Sequence, residues 1–220
     1  NTEKRSIANI TGITKVIYSD TLKRNAADIA LVLDSLDLYG LKDAEGILTS
    51  TQEFSVILPL RNDKADYQSR IIELKRDYLI KLSVGDEDDI ESDFRDGMKE
   101  SVRSSKIKSL GSSFPNSTGV ILIDKTRNED FFNGVKNDFI KNNMKVYNDS
   151  VFVVYKSSEN KVISIFEDII NEAKKGKNIL IYGINFTPDE FAAYDRQVYN
   201  MKKLGYKFYN FRDLMNKLKQ

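Results

Sequence analysis

The sequence contains no cysteine and no histidine, and only three prolines in 220 residues. Without cysteine there is no disulfide, no thiolate metal centre and no cysteine nucleophile. Without histidine there is no imidazole metal ligand, no Ser–His or Cys–His dyad and no side chain that ordinarily titrates near neutrality. Any chemistry must come from carboxylates, Lys, Arg, Tyr, Ser or Thr. An excess of one charge is missing too: 34 basic residues stand against 33 acidic ones, a net charge of +1. That balance argues against a dedicated nucleic-acid binder, which carries a basic face. No apolar run approaches the roughly 18 residues that span a bilayer, and neither G-x-G-x-x-G nor Walker A occurs.

What is present is a 40% hydrophobic chain, enough for one sizeable core, with no Pro- or Gly-rich linker dividing it. Residues 1–27 read as a polar, partly helical lead-in with a weak apolar pattern at Ile7, Ile10, Ile13, Val16 and Ile17. From residue 28 onward, strand-like and helix-like segments alternate. Asp28–Asp34 is a continuous apolar run of the kind buried on both faces in parallel sheets. A helix is predicted over 40–51, a strand closed by Pro59, and an amphipathic helix over 62–76 with Ala65, Ile71, Ile72 and Leu74 inward. Tyr78–Leu82 is a third strand, and Phe94 to Val102 reads as a helix. Ser101 to Ser117 reads as a loose loop.

Further strands are predicted at 119–124, 145–149, 151–155, 178–183 and 206–209. Helices are predicted over 130–142, with Ile140 inward, 161–175, with Ile170 inward, 188–204 and 212–219. This alternation indicates an α/β fold, a distorted (β/α) barrel of about seven parallel strands filling residues 28–220.

In such folds functional groups gather at the carboxyl ends of the strands. Those ends carry Asp34, Lys81, Asp124, Asp149 and Ile184–Asn185. Converging carboxylates could hold a hard cation or act as an acid/base pair. Capping of turns and helices is the ordinary alternative for Asp124 and Asp149. The acidic run Asp86-Glu87-Asp88-Asp89 reads as a solvated loop or a helix start. Tyr39, Tyr147, Tyr155 and Tyr182 lie near strand ends, where rings serve either packing or sugar stacking. A Ser35–Lys81 nucleophile pair has no local support, since the two lie on different strands.

With phrases such as Leu33-Asp34-Ser35-Leu36-Asp37, Val56-Ile57-Leu58-Pro59 and Tyr182-Gly183-Ile184-Asn185 in sequence, the order of segments from about Ile29 to Leu214 resembles the divergent polysaccharide deacetylases, a branch of the NodB-type carbohydrate esterase superfamily. The likeness rests on these and on Leu79-Ile80-Lys81-Leu82-Ser83-Val84, Gly119 to Thr126 and Tyr147-Asn148-Asp149-Ser150. The resemblance implies a metal-dependent esterase in which Asp and His hold a divalent ion beside an Asp base and a His acid. Carried over position by position, only Asp34 survives, at the base. The metal Asp is replaced by Ser35 and the His positions by Lys81, Ile123 and Ile184. Aliphatic side chains neither bind a metal nor move a proton.

The resemblance therefore implies the barrel without the reaction: a pseudoenzyme that binds a cell-wall glycan, a peptidoglycan fragment or an envelope protein partner. It implies no metal and no cofactor, and the charge balance already implies no nucleic acid. It also implies an exported, periplasmic or cell-envelope setting, with a signal or anchor removed from the N-terminus. The candidate groove is Asp34, Asp37, Lys81, Asp124, Asp149, Tyr182 and Asn185. Two other readings stay open. One is a metal-independent carbohydrate hydrolase pairing Asp34 with Asp124 or Asp149. The other is a structural or assembly protein of the envelope.

Overall fold

A computed structural model describes residues 27–156, 162–173, 175 and 178–219. Residues 1–26 of the lead-in with its apolar pattern, and Lys161, Lys174 and the Gly176 stop of the helix predicted over 161–175, lie outside the described residues. In chain order the elements are β1 (Asp28–Asp34), α1 (Leu41–Leu48), β2 (Ser55–Ile57), α2 (Ala65–Glu73), β3 (Asp77–Gly85) and β4 (Phe94–Arg95). Next come α3 (Glu100–Ser113), β5 (Val120–Lys125), α4 (Glu129–Lys141), β6 (Val146–Asn148) and β7 (Val153–Lys156). The chain continues through α5 (Val162–Ala173), β8 (Ile179–Ile184), α6 (Pro188–Lys203), β9 (Lys207–Tyr209) and α7 (Phe211–Lys217).

The strands form one sheet in the order β6-β5-β3-β2-β1-β8-β7, with β4 added to β3 and β9 to β1. Every pairing is parallel. Strand β8 follows β1 from Ile29 to Asp34, while β9 and β2 share the other edge, at Asp28–Ala30 and Val32–Leu33 respectively.

The two outermost strands of this path, β6 and β7, are consecutive in the chain, with only 149–152 between them. Seven strands laid flat would hold those edges about 29 Å apart at 4.8 Å per spacing. Four linking residues reach at most about 17 Å. The sheet must therefore curl into a half-barrel with a seam between β6 and β7.

Curling gives each strand an inner and an outer face, and the two-residue side-chain period assigns residues to them. Val32, Ile57, Leu79, Ile121 and Tyr182 point inward, where they pack with Phe152 and Phe211. Ile29, Leu31 and Leu33 point outward under helices, sharing a core with Ile47, Ile169 and Tyr194. Ile80, Leu82, Val120 and Leu122 do the same beneath α3 and α4, with Phe94 and Phe139.

Helix α7 closes the amino-terminal end of the barrel. Phe211 is fully buried and stands edge-on to Tyr147, with centroids 4.7 Å apart. The anchor is Asp77, at the first position of β3. Its Oδ2 accepts from Ser55 Oγ at 2.5 Å and from the backbone N–H of Arg212 at 3.1 Å. Its Oδ1 accepts from Arg212 Nε at 3.1 Å and from Thr118 Oγ1. One carboxylate thus ties β2, β3, the approach to β5 and α7 together.

Several local expectations are corrected. Residues 94–99 do not form the helix predicted over 94–102, whose last three residues instead begin α3: Phe94–Arg95 is a short strand on β3, and Phe94 is buried edge-on to Phe139 at 5.6 Å. The expected loop over 101–117 is mostly α3, whose serines and lysines leave no apolar stripe to read and which buries only Ile107. Arg103 ties it to Asp138 of α4 at 2.9 Å. Ala65, Ile72, Ile140 and Ile170 face solvent rather than the core. Each covering helix touches the curved sheet along a narrow line, which Tyr67, Ile71, Val135 and Phe139 already occupy. The acidic run is a loop, as read: Asp86 accepts from Thr126 Oγ1 at 3.0 Å and from the Arg127 N–H at 2.8 Å, bonds that hold its carboxyl below the usual range.

The base anchor carries a prediction. Asp77→Ala strands the buried hydroxyls of Ser55 and Thr118, releases both Arg212 bonds, and lowers the unfolding free energy by about 3 kcal/mol in urea denaturation. A loss under about 1 kcal/mol would show that α7 docks through Phe211 alone.

Candidate functional site

Strand β1 places Ala30, Val32 and Asp34 on the inner face in succession, so Asp34 stands at the carboxyl end of the barrel interior. It is 4% exposed. Its Oδ2 accepts from Tyr182 Oη at 2.7 Å and from the Lys81 ammonium. Both bonds fall on one oxygen; Oδ1 has no partner among the described residues. Tyr182 follows Leu180 on the inner face of β8, and Lys81 follows Leu79 on that of β3. Burial, then the Asp34 carboxylate beside it and the more distant Asp149, push the Tyr182 phenol far above its ordinary range.

These three groups form one wall of a cavity of about 390 Å³. Ile121, Ile123, Phe152, Val154 and Ile184 give it an apolar lining. Phe152 and Tyr182 meet at a tilt, with centroids 5.5 Å apart. Asp93, Asp149, Ser83 and Lys125 add polar groups. Asp149 reaches the cavity because the β6–β7 link crosses the seam there.

Four candidate groove residues meet in this cavity: Asp34, Lys81, Asp149 and Tyr182. Three do not. Asp124 is one step out of phase with Ile121 and Ile123, so it faces solvent, accepting from the Thr126 N–H at 3.1 Å as a turn residue. Asp37 lies in the turn after β1, 3.9 Å from Lys64 Nζ. Asn185 leaves the sheet at φ 59, directly beside Ser35 at φ 63. Its backbone donates to Asp34 O at 3.3 Å and accepts from Tyr39 Oη at 2.9 Å. Of the four positions at which the resemblance lost its ligands, Lys81, Ile123 and Ile184 line the cavity and Ser35 does not.

These residues do not fit a divalent ion. Two are alkyl, and the Lys81 ammonium already sits on Asp34. Among the described residues, no group of three or more carboxylates could hold a metal.

Seven lining residues were not anticipated, Leu82 and Ile121 among them. Ser83 and Lys125 continue the inward alternation from Lys81 and Ile123 by two residues, a signal present in the sequence. Phe152 and Val154 enter through the seam. Asp93 had no local signal: the loop after β3 folds back so that its Oδ2 accepts from the Ser83 N–H at 2.9 Å, while Lys106 Nζ lies 3.7 Å away.

No family model matches the chain, and no curated protein does. Among solved structures it is similar to an uncharacterized protein, ATU2773, from Agrobacterium tumefaciens C58. The two share 11% identity over 90% of this chain and 94% of that one, with a TM-score of 0.56. That likeness establishes a common fold: a curled parallel α/β half-barrel.

Two outcomes test the cluster. Lys81→Met leaves a buried carboxylate with a phenol as its sole partner; since Lys81 is partly exposed, the cost is about 2–3 kcal/mol, part of which Asp34→Asn recovers in the double variant. Simple additivity in denaturant titrations would mean the pair is uncoupled. The second concerns alkali. Burial and Glu190 push Tyr155 from 10.0 up to about 12, and Tyr182 is raised further. The folded state thus holds these protons more tightly than the unfolded chain, so stability is intact below pH 10 and falls as pH rises toward 12. Tyrosinate absorbance followed with circular dichroism should show the last tyrosines ionising together with unfolding; their full ionisation in a folded barrel would contradict this.

Proposed function

We propose that the chain is a catalytically inactive, polysaccharide-deacetylase-like domain of the cell envelope that holds a glycan in the mouth of its barrel. The observation that carries this reading is the Asp34–Lys81–Tyr182 cluster. It fills the place where a catalytic metal would be needed with an internal cation and phenol, while leaving an open cavity beside them. A carboxylate oxygen, ammonium N–H groups and an apolar wall suit a sugar, whose hydroxyls donate and accept around C–H faces. The same cavity unites Asp34 with Asp149, the pair a metal-independent glycosidase would need, so the assay below also measures release of reducing ends.

Purified protein is mixed with insoluble peptidoglycan and with chitin in buffer containing a chelator, then sedimented. Retention on at least one polymer is expected, with no reducing sugar released. Asp149→Ala, at an exposed rim position, should reduce retention several-fold. Failure to sediment with either polymer would overturn the glycan reading and favour a protein partner at the exposed Val151, Val153 and Val154 beside the seam. Reducing-end release abolished by Asp149→Ala would favour the hydrolase.

A further inference from the structure

A second cavity lies at the opposite end of the barrel, a cleft of about 730 Å³ between the end of α3, the loops before β5 and β6, and α7. Lys108, Lys145 and Arg212 line it and no carboxylate does. In a chain with 34 basic and 33 acidic residues, that is a marked local separation of charge. Neither lysine forms an ion pair among the described residues, and both are exposed.

Arg212 contributes differently. Asp77 offsets its charge, and its Nε is held by Asp77 at 3.1 Å and Thr118 at 2.9 Å. Its Nη2 is held by Asn116 O at 2.5 Å. Nη1 has no partner among the described residues. The guanidinium is thus oriented before any ligand arrives, and its remaining N–H groups are available without an ordering cost. Half-buried Phe114 and Met144 give the cleft an apolar side.

We propose that this cleft binds a small organic oxyanion: a phosphate or carboxylate carried on a body about the size of a sugar. Lys108 and Lys145 supply the charge, and Arg212 supplies oriented donors. The site is separate from the barrel mouth and stands whether or not the mouth binds a glycan.

The test is calorimetric titration of the purified protein with glucose 6-phosphate, glucuronate and glucose at low and high salt. Saturable binding of at least one anion, none of glucose, and weakening with salt are expected. Lys108→Gln and Lys145→Gln should each weaken binding about tenfold, while Asp149→Ala at the mouth leaves it unchanged. Binding of glucose 6-phosphate alone identifies phosphate as the recognised group, and of glucuronate alone, carboxylate. The proposal is overturned if neither anion saturates or if both lysine variants bind as tightly as the parent.

Discussion

The four residues joining β6 to β7 constrain everything else in this molecule. Because they must connect strands at opposite edges of a seven-strand path, the sheet cannot lie flat. Curvature creates an interior, and the interior turns the alternation of each strand into a distinction between packing residues and cavity residues. The same link delivers Asp149 and Phe152 to the mouth. A longer link would permit an open, doubly covered sheet, with Asp34 and Lys81 left on one broad face.

Within that interior the energetically demanding group is Asp34. A carboxylate so deeply buried is costly unless paired and hydrogen-bonded. Lys81 and Tyr182 meet both requirements, yet such pairs rarely add net stability over well-packed apolar residues. Their presence at a cavity wall is therefore not accounted for by stability alone. Asp77 at the other end differs: each of its oxygens is saturated by protein donors, and it serves to seat α7.

The two ends of the barrel therefore have opposite characters. The mouth is a mixed, largely apolar cavity around an internal ion pair. The base is a wider cleft with lysines that have no acidic partner among the described residues. Parallel strands make this asymmetry natural, since all carboxyl ends gather at one end and all amino ends at the other.

Much of this was legible in the sequence. The continuous apolar run ending in Asp34 and the regular strand–helix alternation determined a parallel α/β barrel, because doubly buried strands need apolar residues at every position. The missing histidines leave the mouth without an imidazole, and that much is read from composition alone. Even the exclusion of Asp124 was implicit, being one residue out of phase with Ile121 and Ile123. The sequence could not announce α3, whose polar composition matches a loop and whose helix rests on long-range contacts through Ile107 and Arg103. Nor could it place Asp93, Phe152 or Arg212, because loop folding and the seam bring them to their sites across distances that no local pattern encodes. Composition and periodicity determined which residues must be buried; only the tertiary structure decided which polar groups meet, because such meetings depend on where the curled sheet brings its ends.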